Sequence, residues 1–210
     1  MLEAERAAIA QYSPHLETLT PGRTGNVSIR RENHIAITPS GIPYARLDTA
    51  DIPVIQLDGT QVAGDHTPST ETPLHTGIYR EIDTKSIVHT HSPWATTLAI
   101  IPKELPPVHY LLATVGGSVP VAPYATYGTS ELAANVVSTL KEAETSACLL
   151  ANHGLITHGS SLEEAIEAAQ TVESIARVYC QALALAAPTM LSATEMETVA
   201  AKLDSYGPDN

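Results

Sequence analysis

The sequence predicts an α/β domain of three layers, with helices on both faces of a mostly antiparallel central sheet. Two observations lead to this prediction. Alternating strands joined by tight turns come early in the chain, within residues 27–38 and 54–63. After residue 86, short apolar strands alternate with segments of helical periodicity. Neither an internal repeat nor a linker divides the chain, so we expect a single domain over residues 1–210.

The first part of the chain predicts one helix and two hairpins. Apolar residues at helical spacing favour a helix from Leu2 to about Leu19, although Pro14 argues against one unbroken helix. The dipeptide Asp58-Gly59 is the strongest short hairpin signal in the sequence. The predicted strands around the two turns are 27–30, 34–38, 54–57 and 61–63.

The rest of the chain predicts helices that separate short strands. Ser69 or Thr70 is placed to cap a helix that runs to about Ile82. Ser161, with Glu164 three residues later, forms a capping box that opens a long amphipathic helix. The other predicted elements are strands at 87–91, 119–123, 148–153 and 155–159 and helices at 93–100, 130–140 and 192–203.

Composition and charge exclude several classes of function. The formal net charge is −12 and Lys and Arg form no cluster, so binding to nucleic acid is not expected. Glu3 and Glu5 precede any apolar run, which is unlike a signal peptide, and no apolar stretch reaches membrane-spanning length. Cys148 and Cys180 lie in apolar runs and are expected to be buried free thiols. We therefore expect a cytoplasmic protein without nucleic-acid or membrane partners.

Two histidines on one predicted strand are the strongest chemical signal. His89 and His91 are separated by a single residue, so their side chains project from the same face of the strand. His153 ends a second apolar run, which would deliver a third imidazole to the rim of a sheet. Three histidine ligands leave a fourth position open, as in catalytic zinc sites. The alternative is that the His-x-His pair consists of two ordinary histidines.

A glutamate and a further histidine share one face of the predicted helix near residue 70. Glu71 is at the start of this helix and His75 is four residues later. A carboxylate at a helix N-terminus is stabilised in its charged form, which suits a metal ligand or a general base. The alternative is an exposed first-turn glutamate without a function.

Three loops combine small residues with hydrogen-bond donors. They are Gly25-Asn26, Ser40-Gly41 and Ser69-Thr70. Each one alone is typical of a turn or a cap. Together they predict a phosphate site that depends on neutral donors, with Arg23 as a possible charged partner.

Five motifs resemble those of the class II aldolase/adducin family in content and order. They are Gly25–Ser28, Ile37–Tyr44, Ser69–Glu71, His89–His91 and Asn152–Leu155. Two middle segments, Val108–Leu111 with Gly116-Gly117 and Pro123–Thr129, resemble the members that cleave L-fuculose 1-phosphate. The resemblance extends from about residue 5 to Tyr206.

The resemblance implies a reaction and a metal. The reaction is the reversible cleavage of L-fuculose 1-phosphate, or a related ketose 1-phosphate, to dihydroxyacetone phosphate and L-lactaldehyde or a related aldehyde. It proceeds through an enediolate that zinc stabilises. The implied ligands of one Zn²⁺ in each subunit are His89, His91 and His153. Glu71 is implied as the acid/base residue, which also approaches the metal when no substrate is bound.

Roles for other residues follow from the same resemblance. Tyr110 matches the tyrosine that handles the proton on the aldehyde oxygen, and Tyr206 matches a C-terminal tyrosine that closes over the site. The implied phosphate-binding residues are Asn26, Ser40, Gly41, Ser69 and Thr70. The family resemblance also implies a homotetramer with sites at subunit boundaries, so that Tyr110 serves a neighbour's metal.

Three rival interpretations remain open at this stage. One is 4-epimerisation of a pentulose 5-phosphate, although such epimerases tend to carry Asp at the position of Glu71. A second is aldolase chemistry on 5-methylthioribulose 1-phosphate or ribulose 1-phosphate. The third is an adducin-like interaction module without catalysis, which would not require three histidines and a glutamate.

Overall fold

The computed structural model describes residues 1–21, 24–101 and 103–203, and within these residues eight strands form one sheet. The strands are β1 (Asn26–Arg31), β2 (His34–Ile37), β3 (Val54–Gln56), β4 (Gln61–Ala63), β5 (Ser86–Thr90), β6 (Val121–Ala122), β7 (Ala147–Leu150) and β8 (Gly154–Gly159). Their order is β4-β3-β2-β1-β5-β8-β7-β6. Only the β6–β7 pair among these is parallel, so the expectation of a mostly antiparallel sheet is confirmed.

Six α-helices accompany the sheet in the described part of the chain. They are α1 (Glu3–Leu16), α2 (Thr72–Glu81), α3 (Pro93–Ala99), α4 (Ser130–Ala143), α5 (Leu162–Leu183) and α6 (Ala193–Leu203). Residues 110–115, for which the sequence predicts no clear element, form a 3₁₀ helix. None of the described helices is both long enough and apolar enough to cross a membrane.

The apolar side chains form two clusters, and neighbouring residues on one strand belong to different clusters. Ile87 packs with residues of α2 and α4, whereas Val88 packs with residues of α1, α3 and α5. On β8, Leu155 likewise belongs to the cluster of Val88 and Ile156 to the cluster of Ile87. Because successive side chains of a strand point to opposite faces, apolar residues fill both sides of the sheet.

Helix α1 continues past the residue expected to interrupt it. Pro14 lies in its last turn, and the helix ends at Leu16. The buried residues Ile9, Ser13 and Leu16 hold this turn in place although proline cannot donate a backbone hydrogen bond. The expected break was therefore wrong, and the predicted end near Leu19 was too late.

The starts of two helices differ in detail from the predicted caps. Neither Ser69 nor Thr70 caps α2: Glu71 occupies the N-cap position, and Ser69 Oγ accepts a hydrogen bond from the Glu71 backbone N–H over 3.2 Å. At α5, Ser161 Oγ accepts from the Glu164 N–H as predicted. The Glu164 carboxylate, however, accepts from Ser160 instead of Ser161, so only half of the predicted box forms.

Neither cysteine forms a disulfide. Cys148 on β7 is buried, and burial raises the pKa of its thiol to about 12. Cys180 on α5 is only partly buried. The prediction of free thiols is confirmed, and the prediction of full burial holds for Cys148 alone.

One carboxylate caps a helix from a distant part of the chain. Glu173 on α5 accepts hydrogen bonds from the first N–H groups of α3, at 3.0 Å from Trp94 N to Oε1 and 2.8 Å from Ala95 N to Oε2. A negative charge here neutralises unpaired donors and the positive end of the helix dipole. Helix α3 begins two residues after His91, so this contact also fixes the chain just beyond the histidine pair.

We expect Glu173→Ala to lower the free energy of unfolding by about 1–2 kcal/mol, as the loss of an N-cap does. Chemical denaturation measures this change. The matched control is Glu167→Ala, an exposed glutamate on the same helix, which should stay within about 0.5 kcal/mol of the parent. Equal losses in the two variants would contradict the capping role.

Candidate metal centre

Strand β5 carries the first two histidines to the centre of the sheet. It is buried along its whole length between β1 and β8, with His89 opposite Asn26 on one side and Ile156 on the other. His91 follows one residue after the strand ends. The two rings lie with their centroids 4.9 Å apart, so the predicted placement on one face is correct.

The third histidine comes from the tip of the hairpin between β7 and β8. Leu150 pairs with Gly154, and the intervening loop turns through Asn152, which has a left-handed backbone with φ of 54°. His153 N donates to the Leu150 carbonyl over 3.0 Å, which closes the turn. Since β8 is the direct neighbour of β5, the His153 ring stands 4.8 Å from His89 and 4.9 Å from His91, centroid to centroid.

Glu71 completes a four-residue cluster. Its Oε2 lies 3.0 Å from His89 Nε2, and its Oε1 lies 3.4 Å from His153 Nε2. One ligand atom from each of Glu71, His89, His91 and His153 can be chosen so that all lie within 4.8 Å of one another. Glu71 Oε1 is buried and accepts no hydrogen bond from the described residues. A divalent cation would satisfy this oxygen, and the donor set of three imidazoles and a carboxylate suits zinc.

The tautomer of His89 is fixed by its surroundings. Its Nδ1 lies 2.9 Å from the Leu155 carbonyl oxygen, which can only accept a hydrogen bond. Nδ1 therefore carries a proton, and Nε2 is the nitrogen that faces Glu71 and His91 and is placed to bind a cation. A backbone carbonyl on the far nitrogen is the usual way in which proteins orient a metal-binding imidazole.

The electrostatics of the cluster favour the protonation states that bind metals. Burial, followed by the neighbouring His89, lowers the pKa of both His91 and His153 to about 4, so both rings are neutral at pH 7. Burial opposes ionisation of Glu71, but charge and hydrogen bonding from His89, with a hydrogen bond from Asn26, outweigh it. They hold the pKa of the Glu71 carboxyl well below its usual range. Burial opposes a charge on His89, but the charge and hydrogen bond of Glu71 outweigh it and raise the pKa of this ring, so a cation would displace the proton from its Nε2. The cluster thus presents an ionised carboxylate and two neutral imidazoles, with His89 as a third ligand once that proton has left.

The cluster opens into a cavity of about 480 Å³, a volume that suits a small ligand. All five predicted phosphate-binding residues line this cavity together with Glu71, His91 and His153; they are Asn26, Ser40, Gly41, Ser69 and Thr70. Among its described lining residues there is no lysine or arginine. A cleft between α2 and α4 is larger, at about 960 Å³, but it contains none of the histidines. We therefore choose the smaller cavity as the candidate site because of the residues that line it.

Comparison with known proteins assigns the chain to a family. Residues 5–180 match the family model described as the class II aldolase and adducin N-terminal domain. This chain belongs to the class II aldolase/adducin family.

Relatives in the family carry two different substrate names. A 5-deoxy-D-ribulose 1-phosphate aldolase of Bacillus thuringiensis is 38% identical over 212 residues, covering 99% of each chain. An L-fuculose phosphate aldolase of Escherichia coli is 39% identical over 192 residues, covering 90% of this chain and 88% of the relative. A solved L-fuculose 1-phosphate aldolase superposes with a TM-score of 0.92 at 36% identity and 96% coverage of both chains.

One of the residues implied by resemblance to this aldolase family does not line the cavity, and another lies outside the described residues. Tyr110 is 48% exposed, its ring is stacked on His109, and it is not a lining residue. Tyr206 lies outside the described residues, as does Arg23, the possible charged partner of the phosphate.

Sequence reasoning missed other lining residues. Tyr124 and Tyr127 both line the cavity and are 61% and 65% exposed, and Asn152 lines it beside His153. The segment from Pro123 to Thr129 was noted only for its family resemblance. Two tyrosines within four residues of a turn-rich segment were the available signal.

Two glycines let neighbouring strands approach the histidines. A Cβ atom on Gly25 would collide with the His89 carbonyl oxygen. One on Gly154 would collide with the Thr90 carbonyl oxygen and lie 3.1 Å from His91 Cδ2. A side chain at either position would therefore push β1 or β8 away from β5.

We expect Gly154→Ala to weaken metal binding by about 10–100-fold, the usual loss when groups that orient metal ligands are disturbed. Titration of the metal-free protein with zinc measures this affinity. Gly59→Ala is the matched control, because it strains the distant β3–β4 turn at a φ of 89° without touching the cluster. Unchanged zinc affinity in Gly154→Ala would show that the close strand approach is not needed.

Proposed function

We propose that the protein is a zinc-dependent aldolase that reversibly cleaves a ketose 1-phosphate into dihydroxyacetone phosphate and a short aldehyde. The observation that carries this proposal is the cluster of three histidines and Glu71 at one end of a cavity lined by neutral hydrogen-bond donors. Membership of the class II aldolase/adducin family supports the same reaction.

His89, His91 and His153 would hold the zinc ion, with Glu71 beside it. When bound, zinc supplies Lewis-acid stabilisation of the negative charge that develops on the substrate as the carbon–carbon bond breaks, which is worth several kcal/mol. The buried, unsatisfied Oε1 of Glu71 supports a cation at this position. Neutral His91 and His153 need not lose a proton before binding it.

The phosphate group of the substrate would bind between two adjacent loops. Ser69 N donates to the Thr38 carbonyl over 3.1 Å, and Ser40 N donates to the Thr67 carbonyl over 2.9 Å, so the loops brace each other. Ser40, Ser69 and Thr70, which these loops carry, all line the cavity. A phosphate bound here would hold the substrate at a point away from the breaking bond. The free energy of phosphate binding would then orient the reacting carbon atoms.

Glu71 and Tyr110 would move the protons. In the direction of condensation, ionised Glu71 takes the proton from C3 of dihydroxyacetone phosphate, and C3 then attacks the aldehyde carbon while Tyr110 gives a proton to the aldehyde oxygen. In cleavage the C3–C4 bond breaks, Tyr110 takes the proton of the C4 hydroxyl, and Glu71 returns its proton to C3. Each transfer typically contributes about 10²–10⁴-fold.

Tyr110 would reach a metal centre only from a neighbouring subunit. Its exposure and its absence from the cavity wall of its own chain support this arrangement. We therefore propose a homotetramer with sites at subunit boundaries. Within each subunit we propose a single three-layer domain over residues 1–210 and retain the expectation of a cytoplasmic location.

The proposed substrate is L-fuculose 1-phosphate or another ketose 1-phosphate that differs from it in the part released as the aldehyde. Relatives named for L-fuculose phosphate and for 5-deoxy-D-ribulose 1-phosphate have nearly equal identity to this chain. Both names describe ketose 1-phosphates that end in a methyl group, and cleavage of either would release dihydroxyacetone phosphate. Only the aldehyde would differ, so we propose the shared class and keep both substrates, with 5-methylthioribulose 1-phosphate and ribulose 1-phosphate as further members.

A substrate panel tests the proposal. The purified protein is incubated with these ketose 1-phosphates and with pentulose 5-phosphates, with and without a chelator, and dihydroxyacetone phosphate and epimers are measured. We expect release of dihydroxyacetone phosphate from at least one ketose 1-phosphate, loss of release with the chelator and recovery on addition of zinc.

Two results would overturn the aldolase proposal. Interconversion of pentulose 5-phosphates without release of dihydroxyacetone phosphate would favour a 4-epimerase. No turnover of any sugar phosphate by the zinc-loaded protein would favour an adducin-like interaction module.

A further inference from the structure

We propose that His75 is a positioning residue for Glu71, acting through a buried chain of hydrogen bonds that fixes the side-chain amide of Asn26. This inference rests on the proposed function, because it assigns a task to Glu71. It concerns a histidine that the zinc cluster does not include and that the proposed proton transfers do not use.

This chain of hydrogen bonds connects residues of α2 with the Glu71 carboxylate through residues of β1. His75 Nδ1 lies 2.6 Å from Ser28 Oγ, and His75 Nε2 lies 2.5 Å from Asn26 Oδ1. Asn26 Nδ2 in turn donates to Glu71 Oε2 over 2.8 Å. At the far end, the Tyr79 hydroxyl lies 2.9 Å from Ser28 Oγ and donates to the Ser28 carbonyl over 3.0 Å. All five of these residues are buried.

The hydrogen bond from Asn26 Nδ2 to Glu71 Oε2 fixes the direction of the bonds from Asn26 to His75 and from His75 to Ser28. An ionised carboxylate only accepts hydrogen bonds, so the amide nitrogen of Asn26 faces Glu71 and its carbonyl oxygen faces His75. That carbonyl can only accept, so His75 Nε2 carries the proton. The other ring nitrogen of a neutral imidazole must accept, and Ser28 Oγ is the donor that it meets.

His75 is held in this neutral form by its environment. The side chain is completely buried, and its nearest charged neighbours are Glu71 and the imidazole of His89. Burial, followed by His89, lowers the pKa of His75 to about 3, and Glu71 opposes this only partly. A neutral ring has one nitrogen that donates and one that accepts, which matches Asn26 Oδ1 as the acceptor and Ser28 Oγ as the donor.

These hydrogen bonds hold the Asn26 amide in the orientation in which it donates to Glu71. If the Asn26 amide rotated by half a turn, its carbonyl would face the carboxylate and repel it, and two acceptors would meet without a donor. The His75 Nε2–H makes that rotation costly. Glu71 Oε2 therefore keeps one donor that does not depend on a metal ion, which would hold the carboxylate in place with or without a bound substrate.

The same chain changes the expected role of Asn26. Its side-chain amide donates one hydrogen bond to Glu71 and accepts one from His75, so one N–H of Nδ2 could still donate to a ligand. Asn26 lines the cavity at the start of β1. Its assignment to phosphate binding stays a prediction, and the structure favours a contribution to holding Glu71.

Kinetics of two substitutions separate positioning from packing. His75→Leu removes both ring nitrogens, and we expect kcat to fall about 10–100-fold, as is usual for residues that orient a ligand or catalytic group. KM and zinc content should be unchanged. In His75→Gln the side-chain amide can again donate to Asn26 Oδ1, so this variant should recover most of the lost kcat.

A control variant accounts for simple destabilisation. Leu74→Val removes one methylene from a neighbouring, fully buried residue of α2 without touching the chain. It should lower the unfolding midpoint yet leave kcat within about twofold, since it removes no contact to a reacting group. If His75→Leu keeps the kcat of the wild type, or if Leu74→Val loses as much, the positioning role is excluded.

A spectroscopic measurement tests the chain without any turnover. In the zinc-loaded protein, nitrogen-15 NMR of the histidine rings should show His75 as the neutral Nε2–H tautomer at pH 7. A protonated ring or the Nδ1–H tautomer would overturn the deduced bond directions and with them the inference. A wild type that cleaves no sugar phosphate would defeat the proposed function alone, since the tautomer is measured in the absence of substrate.

Discussion

Replacing His153 with alanine is expected to strip the metal from the protein and to reduce turnover by about a thousandfold. The hairpin tip supplies the only one of the three imidazoles that does not come from β5 or its end. Two histidines and a carboxylate hold zinc more weakly than three histidines and a carboxylate. Loss of the Lewis acid removes several kcal/mol of transition-state stabilisation, which corresponds to this factor.

Elemental analysis of the purified variant measures the metal directly. The matched control is His15→Ala, an exposed histidine on α1 that should leave zinc content and turnover unchanged. The ligand assignment fails if His153→Ala retains a full complement of zinc. Circular dichroism should show an intact fold, because the His153 side chain lines the cavity and belongs to neither apolar cluster.

The second large effect is expected from Glu71→Gln, which should retain zinc and lose about 10²–10⁴-fold in kcat. Glutamine has the shape of glutamate but cannot take a proton from carbon at neutral pH. Three imidazoles suffice to bind the metal, and the Asn26 amide can still donate to the side-chain oxygen of the glutamine. Steady-state kinetics, combined with elemental analysis of the same preparation, separate the two properties.

Glu81→Gln provides the comparison on the same helix. Glu81 is at the opposite end of α2, where its carboxylate pairs with Lys141 over 3.1 Å at the surface. Removal of an exposed ion pair changes stability by about 0–1 kcal/mol and should not change kcat. Wild-type turnover in Glu71→Gln would remove this carboxylate from the mechanism.

Features that depend on local sequence could be predicted. The spacing of His89 and His91 places both rings on one face, because the side-chain period of a strand is independent of the rest of the fold. The hairpin at Asp58-Gly59 forms for an equally local reason. The same is true of the helix that starts at Ser192, where reciprocal hydrogen bonds with Glu195 complete a capping box.

Features that depend on distant partners could not be predicted from the residues. The apolar run before His153 indicated a strand, but only the pairing of β8 with β5 brings this ring to the other two. The sequence placed Glu71 and His75 on one face without showing that Asn26 lies between them. The sequence does not single out Glu173, because its partners on α3 are about 80 residues away in the chain.

The position of β5 in the sheet also determines when an ion can bind during folding. Its neighbours come from opposite ends of the sequence, β1 near residue 30 and β8 near residue 155. Pairings of such high sequence separation form late, because the loops that they close are entropically costly. A refolding chain therefore acquires the complete coordination sphere only after both pairings are in place. A zinc ion bound there would then stabilise the finished native state over every earlier species, by about 1.4 kcal/mol for each tenfold excess of free zinc over its dissociation constant.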